Sequence, residues 1–267
     1  MSRLGERLHA LRGEGRKALN TYVVAGDPHP EVTVPALHAL VRGGADMIEL
    51  GVPFSDPEAE GPAIQAGMER ALRHRVSLAG TLDMARAFRT DDVDTPIILM
   101  GYLNPFLRMG YDVFCERAAA VGVDGVIAVN LPPEEAVDFR TSLSAQGMDL
   151  VLLVAPTTTV ERAAYIASEA SGFIYYVSYR GVTGAHRADA EAVAARLDEL
   201  RSVAAELPVL VGFGIKDGPS AARIAPHADG VVVGTVLVET MGEGAAADIP
   251  GRLEAQVREI RQALDAA

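Results

Sequence analysis

Apolar runs of five to eight residues recur along the chain, and longer stretches between them bring apolar residues back every three or four positions. The runs LNTYVVAG (19–26), DMIELG (46–51), PIILMGY (96–102), GVIAVN (125–130), LVLLVAP (150–156), GFIYYVS (172–178), PVLVGFG (208–214) and GVVVG (230–234) predict strands. The stretches EVTVPALHALVRGG, GPAIQAGMERALRH, YDVFCERAAAVG, PPEEAVDFRTSLSAQG, TVERAAYIASEA and AEAVAARLDELRSVAAE predict helices, several opening on Pro, Asp, Glu or Thr and closing on Gly. Strands that are apolar almost throughout belong to a parallel sheet covered on both faces. Eight such units predict an α/β fold, a (β/α)8 barrel, with an open doubly wound sheet as the alternative. MSRLGERLHALRGEGRK predicts an extra N-terminal amphipathic helix with Leu4, Leu8 and Leu11 on one side, and PGRLEAQVREIRQALDAA a last helix that closes the ring. With no linker or low-complexity tract, residues 1–267 read as one barrel domain.

Composition narrows the partners. A net charge of −12 argues against nucleic acid or anionic membrane as a ligand of a general basic field. A phosphorylated small molecule remains compatible, because backbone N–H groups hold phosphate inside an acidic protein. The single cysteine, Cys115, forms no intramolecular disulfide, and its place between Phe114 and Ala118 on a helical pattern predicts a core position. No apolar run reaches the length of a membrane span, and the N-terminus has no apolar leader, so the expected location is the cytoplasm. The six histidines show no metal-ligand spacing, and no metal is expected.

In a barrel of this kind chemistry is built where strands end. The polar residues near those ends are Tyr22, Glu49, Tyr102, Asn130 and Tyr175. Glu49 shares a strand face with Met47, opposite Ile48 and Leu50; if that face is the interior, burial raises its pKa and equips it for proton transfer. The alternative is a structural acid paired with an arginine. Three glycine-bearing segments, GVTGA (181–185), VGFG (211–214) and VVVGT (231–235), follow strands six, seven and eight, where barrels usually bind phosphate.

The stretches GDP (26–28), GGADMIELGVPFSDP (43–57), GPAIQ (61–65), LMGYLNP (99–105), LPPEE (131–135), YYVS (175–178), GVTGA (181–185), GFGI (212–215) and VVVGT (231–235) carry a resemblance: the chain is similar to the tryptophan synthase alpha subunit family along essentially its full length. The resemblance implies a TIM-barrel lyase that cleaves indole-3-glycerol phosphate to indole and glyceraldehyde 3-phosphate. It implies Glu49 as the acid–base group and residue 60 as the second acid. Tyr22, Tyr102, Val126, Tyr175 and Phe213 would lie around the indole, and Thr183, Gly184, Gly214, Gly234 and Thr235 around the phosphate. Loops 53–61 and 179–189 would close over substrate. Pro53, Asp56, Pro57 and Asn104 would contact a beta subunit in an alpha2-beta2 heterotetramer. The beta subunit would carry pyridoxal phosphate; this chain would need no cofactor.

The chain departs from the family pattern at several points. The loop usually reads D-P-L/M-A-D-G-P-T and here reads D-P-E-A-E-G-P-A, making Glu60 the second acid, with Glu58 and Ala63 beside it. Asn130 stands where an aspartate is common, removing a charge that could anchor loop two or loop six. An added methylene moves the Glu60 carboxyl by roughly an ångström, and Glu58, if near, would raise its pKa by repulsion. Three readings follow: an active lyase, a catalytically weakened alpha-type subunit acting mainly as a binding and allosteric partner of a beta subunit, and another phosphate-binding barrel such as a sugar-phosphate isomerase.

Overall fold

The structure, a computed structural model, describes residues 2–177, 190–204, 206–212 and 214–267. Among them the strands are β1 Ala18–Val24, β2 Met47–Gly51, β3 Ile97–Gly101, β4 Gly125–Ala128, β5 in two pieces, Asp149–Leu150 and Leu152–Val154, β6 Ile174–Val177, β7 Val209–Gly212 and β8 Gly230–Val233. All neighbours pair parallel. The first piece of β5 pairs with β4 and the second with β6, so the two ends of the sheet meet in one strand. The Val151 N–H, between the pieces, still donates to Val126 O at 3.0 Å, and the ring is closed but for this single-residue break. The expected (β/α)8 TIM barrel is present, and the open-sheet alternative is excluded.

The helices among the described residues are α1 Arg3–Gly13, α2 Pro30–Gly43, α3 Pro62–Arg73, α4 Leu78–Phe88, α5 Leu103–Met109, α6 Tyr111–Ala120, α7 Val137–Ala145, α8 Val160–Glu169, α9 Ala190–Val203, α10 Gly218–Ile224, α11 Thr235–Met241 and α12 Ile249–Asp265. Their ends follow local chemistry. Pro30 and Pro62 occupy first-turn positions where a missing N–H costs nothing, and Gly44 ends α2 in the left-handed conformation at φ 105°. Asp217 and Ser220 form a reciprocal capping box at α10. The PPEE stretch, expected within a helix, forms a short 3-10 turn over Pro133–Glu135 before α7 begins. Cys115 is buried on α6, as expected of a core residue.

The N-terminal ends of the strands are fastened by aspartates. Asp46 accepts a hydrogen bond from the Leu19 N–H at 2.9 Å, Asp124 from the Ile97 N–H at 2.8 Å and Asp229 from the Val209 N–H at 2.8 Å, each tying its strand to the start of a neighbour. Helix α1 lies across this face with Leu4, Leu8 and Leu11 buried. Arg3 meets Asp124 and Arg7 meets Asp46, both at 2.7 Å, and Ser2 donates to Asp149. Asp46 also receives Arg261 of α12 at 3.0 Å, so the first and last helices converge on one buried carboxylate. Replacing Asp46 by alanine leaves the Leu19 N–H buried without its acceptor and takes from the buried Arg261 one of its two carboxylate partners, Asp265 remaining. The unfolding free energy is expected to fall by on the order of 3 kcal/mol, read as a lowered urea midpoint at unchanged slope.

Candidate active site

At the other end of the barrel the interior opens into a cavity of about 320 Å³. Tyr22 on β1 and Glu49 on β2 are register partners and both face it. Tyr175 faces it from β6, in register with Leu153 of β5, which faces it too. The two tyrosines are admitted by glycines on the next strand. A Cβ on Gly51 would stand 2.4 Å from the Tyr22 hydroxyl oxygen, and one on Gly212 would stand 2.3 Å from that of Tyr175.

Glu49 is fully buried. Burial raises its pKa from an ordinary 4.5 to about 8, against the lowering effect of a hydrogen bond from Asn20, with the Glu60 charge adding to the rise. The Asn20 Nδ2 donates to Glu49 Oε1 at 2.6 Å, and Oε2 has no hydrogen-bond partner among the described residues. The arginine pairing that would make Glu49 a structural acid is absent there, and none of the described residues lining the cavity is a cation.

Glu60 lines the same cavity, half-buried, its pKa raised by burial to about 7. Two side chains hold the loop that carries it. The Ala59 N–H donates to the Tyr102 hydroxyl at 2.9 Å, and Gln65 Nε2 donates to Glu60 O at 2.8 Å. Glu58 is exposed, and burial alone accounts for the rise at Glu60, so repulsion from Glu58 is not what perturbs it.

The remaining expected residues divide. Gly214, at φ 78°, Gly234 and Thr235 line one end of the cavity, Gly234 capping the start of α11. Thr183, Gly184, Phe213 and the loop at 179–189 lie outside the described residues. Tyr102 is not in the cavity wall: it stacks on Phe54 with ring centroids 4.9 Å apart and braces the loop from behind. Val126 is not in the wall either, because its register with Leu99, and through it with Leu50, puts it on the outward face. Asn130 does not reach across the mouth; its Oδ1 accepts from the Leu103 N–H at 2.8 Å and fixes the start of α5. Asp56 and Pro57 line a surface depression of about 410 Å³ on the outer side of the loop, Asn104 is exposed on α5, and Pro53 is buried.

Sequence reasoning missed Met100, Val129, Leu153, Ile215 and Val232 in the apolar wall, the loop brace Gln65, and Asn20. For Asn20 the signal was present: it precedes Tyr22 by two positions and shares its strand face. Among the described residues no group of three or more His, Cys, Asp or Glu could hold a metal, and no helix is long and apolar enough to cross a membrane.

A parallel barrel with two environment-shifted carboxyls facing a mostly apolar cavity at its C-terminal mouth is the equipment of an acid–base enzyme acting on an apolar substrate. The family model described as tryptophan synthase alpha chain matches residues 8–266. The chain is 51% identical over 267 residues to the tryptophan synthase alpha chain of Thioalkalivibrio sulfidiphilus (99% of this chain, 100% of the relative). It is 52% identical over 266 residues to that of Laribacter hongkongensis (100% of each). The crystal structure of tryptophan synthase subunit alpha from Legionella pneumophila str. Paris superposes with a TM-score of 0.92 at 43% identity, covering 100% of both chains. The chain belongs to the tryptophan synthase alpha chain family. Its activity is that of the lyase subunit, retro-aldol cleavage of indole-3-glycerol phosphate in tryptophan biosynthesis.

The buried acid has a consequence for stability. The folded-state pKa of Glu49, about 8, lies above its ordinary 4.5, so the folded chain holds this proton more tightly than the unfolded one. Stability from this group is therefore lost as pH rises from about 4.5 to about 8, and no further above it, by on the order of 5 kcal/mol. In Glu49→Gln that loss disappears. The variant's stability advantage over the parent is expected to grow from near zero at pH 5 to a few kcal/mol at pH 9, measured by urea unfolding across that range.

Proposed function

We propose that Glu49 and Glu60 divide the cleavage between them. At neutral pH the sealed Glu49 is protonated and gives its proton to C3 of the indole, while ionised Glu60 accepts a hydrogen bond from the indole N–H and stabilises the positive ring. The Glu49 carboxylate then takes the proton of the side-chain hydroxyl. The C3–side-chain bond breaks, its electron pair restores the indole, and the hydroxyl carbon becomes the aldehyde of glyceraldehyde 3-phosphate. The observation that carries this reading is that the two acids share one cavity yet differ in enclosure, with pKa values pushed to about 8 and about 7. Tyr22 and Tyr175 with the apolar wall hold the indole. Gly214, Gly234 and Thr235 take the phosphate through backbone N–H groups and the Thr235 hydroxyl.

The chain partners a beta subunit through the face bearing Asp56, Pro57 and Asn104, in an alpha2-beta2 heterotetramer, and itself works without pyridoxal phosphate, which the beta subunit carries. Sedimentation of the mixed subunits reads the stoichiometry. The weakened-subunit reading has no physical support at Glu58, which is exposed and adds nothing to the rise at Glu60.

Two outcomes are expected from assays of indole release. The kcat/KM profile against pH should be bell-shaped, with limbs near 7 for loss of ionised Glu60 and near 8 for loss of protonated Glu49; a rate independent of pH between 6 and 9 contradicts the assignment. Glu49→Gln should lower kcat at least about 100-fold. Glu60→Asp should lower it by about 10- to 100-fold, because the held loop leaves the shorter acid roughly an ångström short of the indole nitrogen. An aspartate variant faster than the parent would return the chain to the weakened reading.

A further inference from the structure

The interior of β1 contains one feature that burial alone does not explain. Asn20 is fully buried, one inward-facing position below Tyr22, in register with Met47. Such a position in a barrel normally takes a branched apolar residue. Its Nδ2 donates to Glu49 Oε1 at 2.6 Å, while its Oδ1 is buried with no hydrogen-bond partner among the described residues. An orphaned buried amide oxygen is destabilising. Asn20 therefore costs the fold something that an aliphatic side chain would not, and its one described side-chain hydrogen bond is to the reacting acid.

We infer that Asn20 is a positioning residue for the cleavage: its amide grips one oxygen of the Glu49 carboxyl and leaves the other, Oε2, to exchange protons with the substrate. The inference rests on the assignment of Glu49 as the acid–base group. A carboxyl that gives a proton and then takes one must act through a single, correctly placed oxygen, and without a grip it could turn within its pocket. Donation to Oε1 answers that need, since an acceptor already engaged there is the poorer site for the proton. The same bond stabilises the ionised form and opposes the rise that burial imposes, keeping both protonation states within reach near neutral pH. Among the described residues, the other titratable groups set around Glu49 are Tyr22 from β1, Tyr175 from β6 and Glu60 from the loop after β2. Both tyrosine pKa values are raised well above the ordinary value, chiefly by burial, so both stay neutral, and Glu60 opposes ionisation of Glu49. Among the described side chains around it, Asn20 alone favours the carboxylate.

The test uses the full chain with Asn20→Val, which suits a strand interior and lacks the donor, and Asn20→Leu, which is close to asparagine in shape and offers neither donor nor acceptor. Three quantities are read: steady-state indole formation from indole-3-glycerol phosphate against pH, the thermal unfolding midpoint, and titration of the Glu49 carboxyl by the infrared band that Glu49→Gln removes. In both variants kcat is expected to fall about 10- to 100-fold with KM within about threefold. The alkaline limb and the infrared titration should both move upward by about one pH unit. The valine variant should unfold at the parent's temperature or above, which a residue kept for packing would not allow. Parental kcat, limb and titration in both variants overturn the inference, as does a valine variant whose rate falls only in step with lost stability. If Glu49→Gln itself keeps forming indole, the assignment of Glu49 falls and the role of Asn20 with it. If Glu49→Gln is inactive and both Asn20 variants match the parent, only the role of Asn20 falls.

Discussion

The withdrawal of the Glu49 carboxyl from water is the constraint on which the site depends. A closed parallel barrel has a dry interior because helices cover its outside and side chains fill its inside, so any acid projecting inward is desolvated. Glu49 is placed there by strand alternation and by its register with Tyr22. Gly51, two residues on, leaves the space into which the Tyr22 hydroxyl fits, so no side chain from β2 competes for the mouth. The raised pKa is thus a property of the whole closed sheet and not of the residues adjacent in sequence.

The same residue type meets opposite fates at the two ends of the barrel. Asp46 and Asp124, where strands begin, are each held by arginines and a backbone N–H, and they fasten helix and sheet. Glu49 and Glu60, where strands end, have no cation beside them among the described residues that line the cavity. Acids paired with arginines and backbone N–H groups hold structure; unpaired buried acids hold protons near neutral pH and can move them. One end of the fold is therefore saturated and stable, and the other is kept electrostatically unsatisfied for chemistry.

The loop after β2 shows how little exposure in a sequence pattern says about single side chains. It carries Asp56, Glu58 and Glu60 within five residues. Asp56 and Glu58 face solvent and Glu60 turns inward, because Tyr102 holds the Ala59 N–H and Gln65 holds the Glu60 carbonyl. Glu60 sits in a loop held by these contacts, which fix where its carboxyl reaches.

The alternation of apolar strands with helices was enough to put the eightfold barrel ahead of an open sheet and to predict the amphipathic helix with Leu4, Leu8 and Leu11 and a core place for Cys115, because periodicity and capping are local properties of the chain. It also placed Glu49 on the face of Met47, and the family's motifs were legible in the stretch from Gly43 to Pro57. What the sequence left open was every property that depends on atoms from distant strands. Only the folded chain put Asn20 within 2.6 Å of Glu49, moved Tyr102 from the cavity wall to the back of the loop and turned Val126 outward. The reason is physical: a strand's own pattern decides which way its side chains point, whereas register and closure decide what they meet and how much water remains around them.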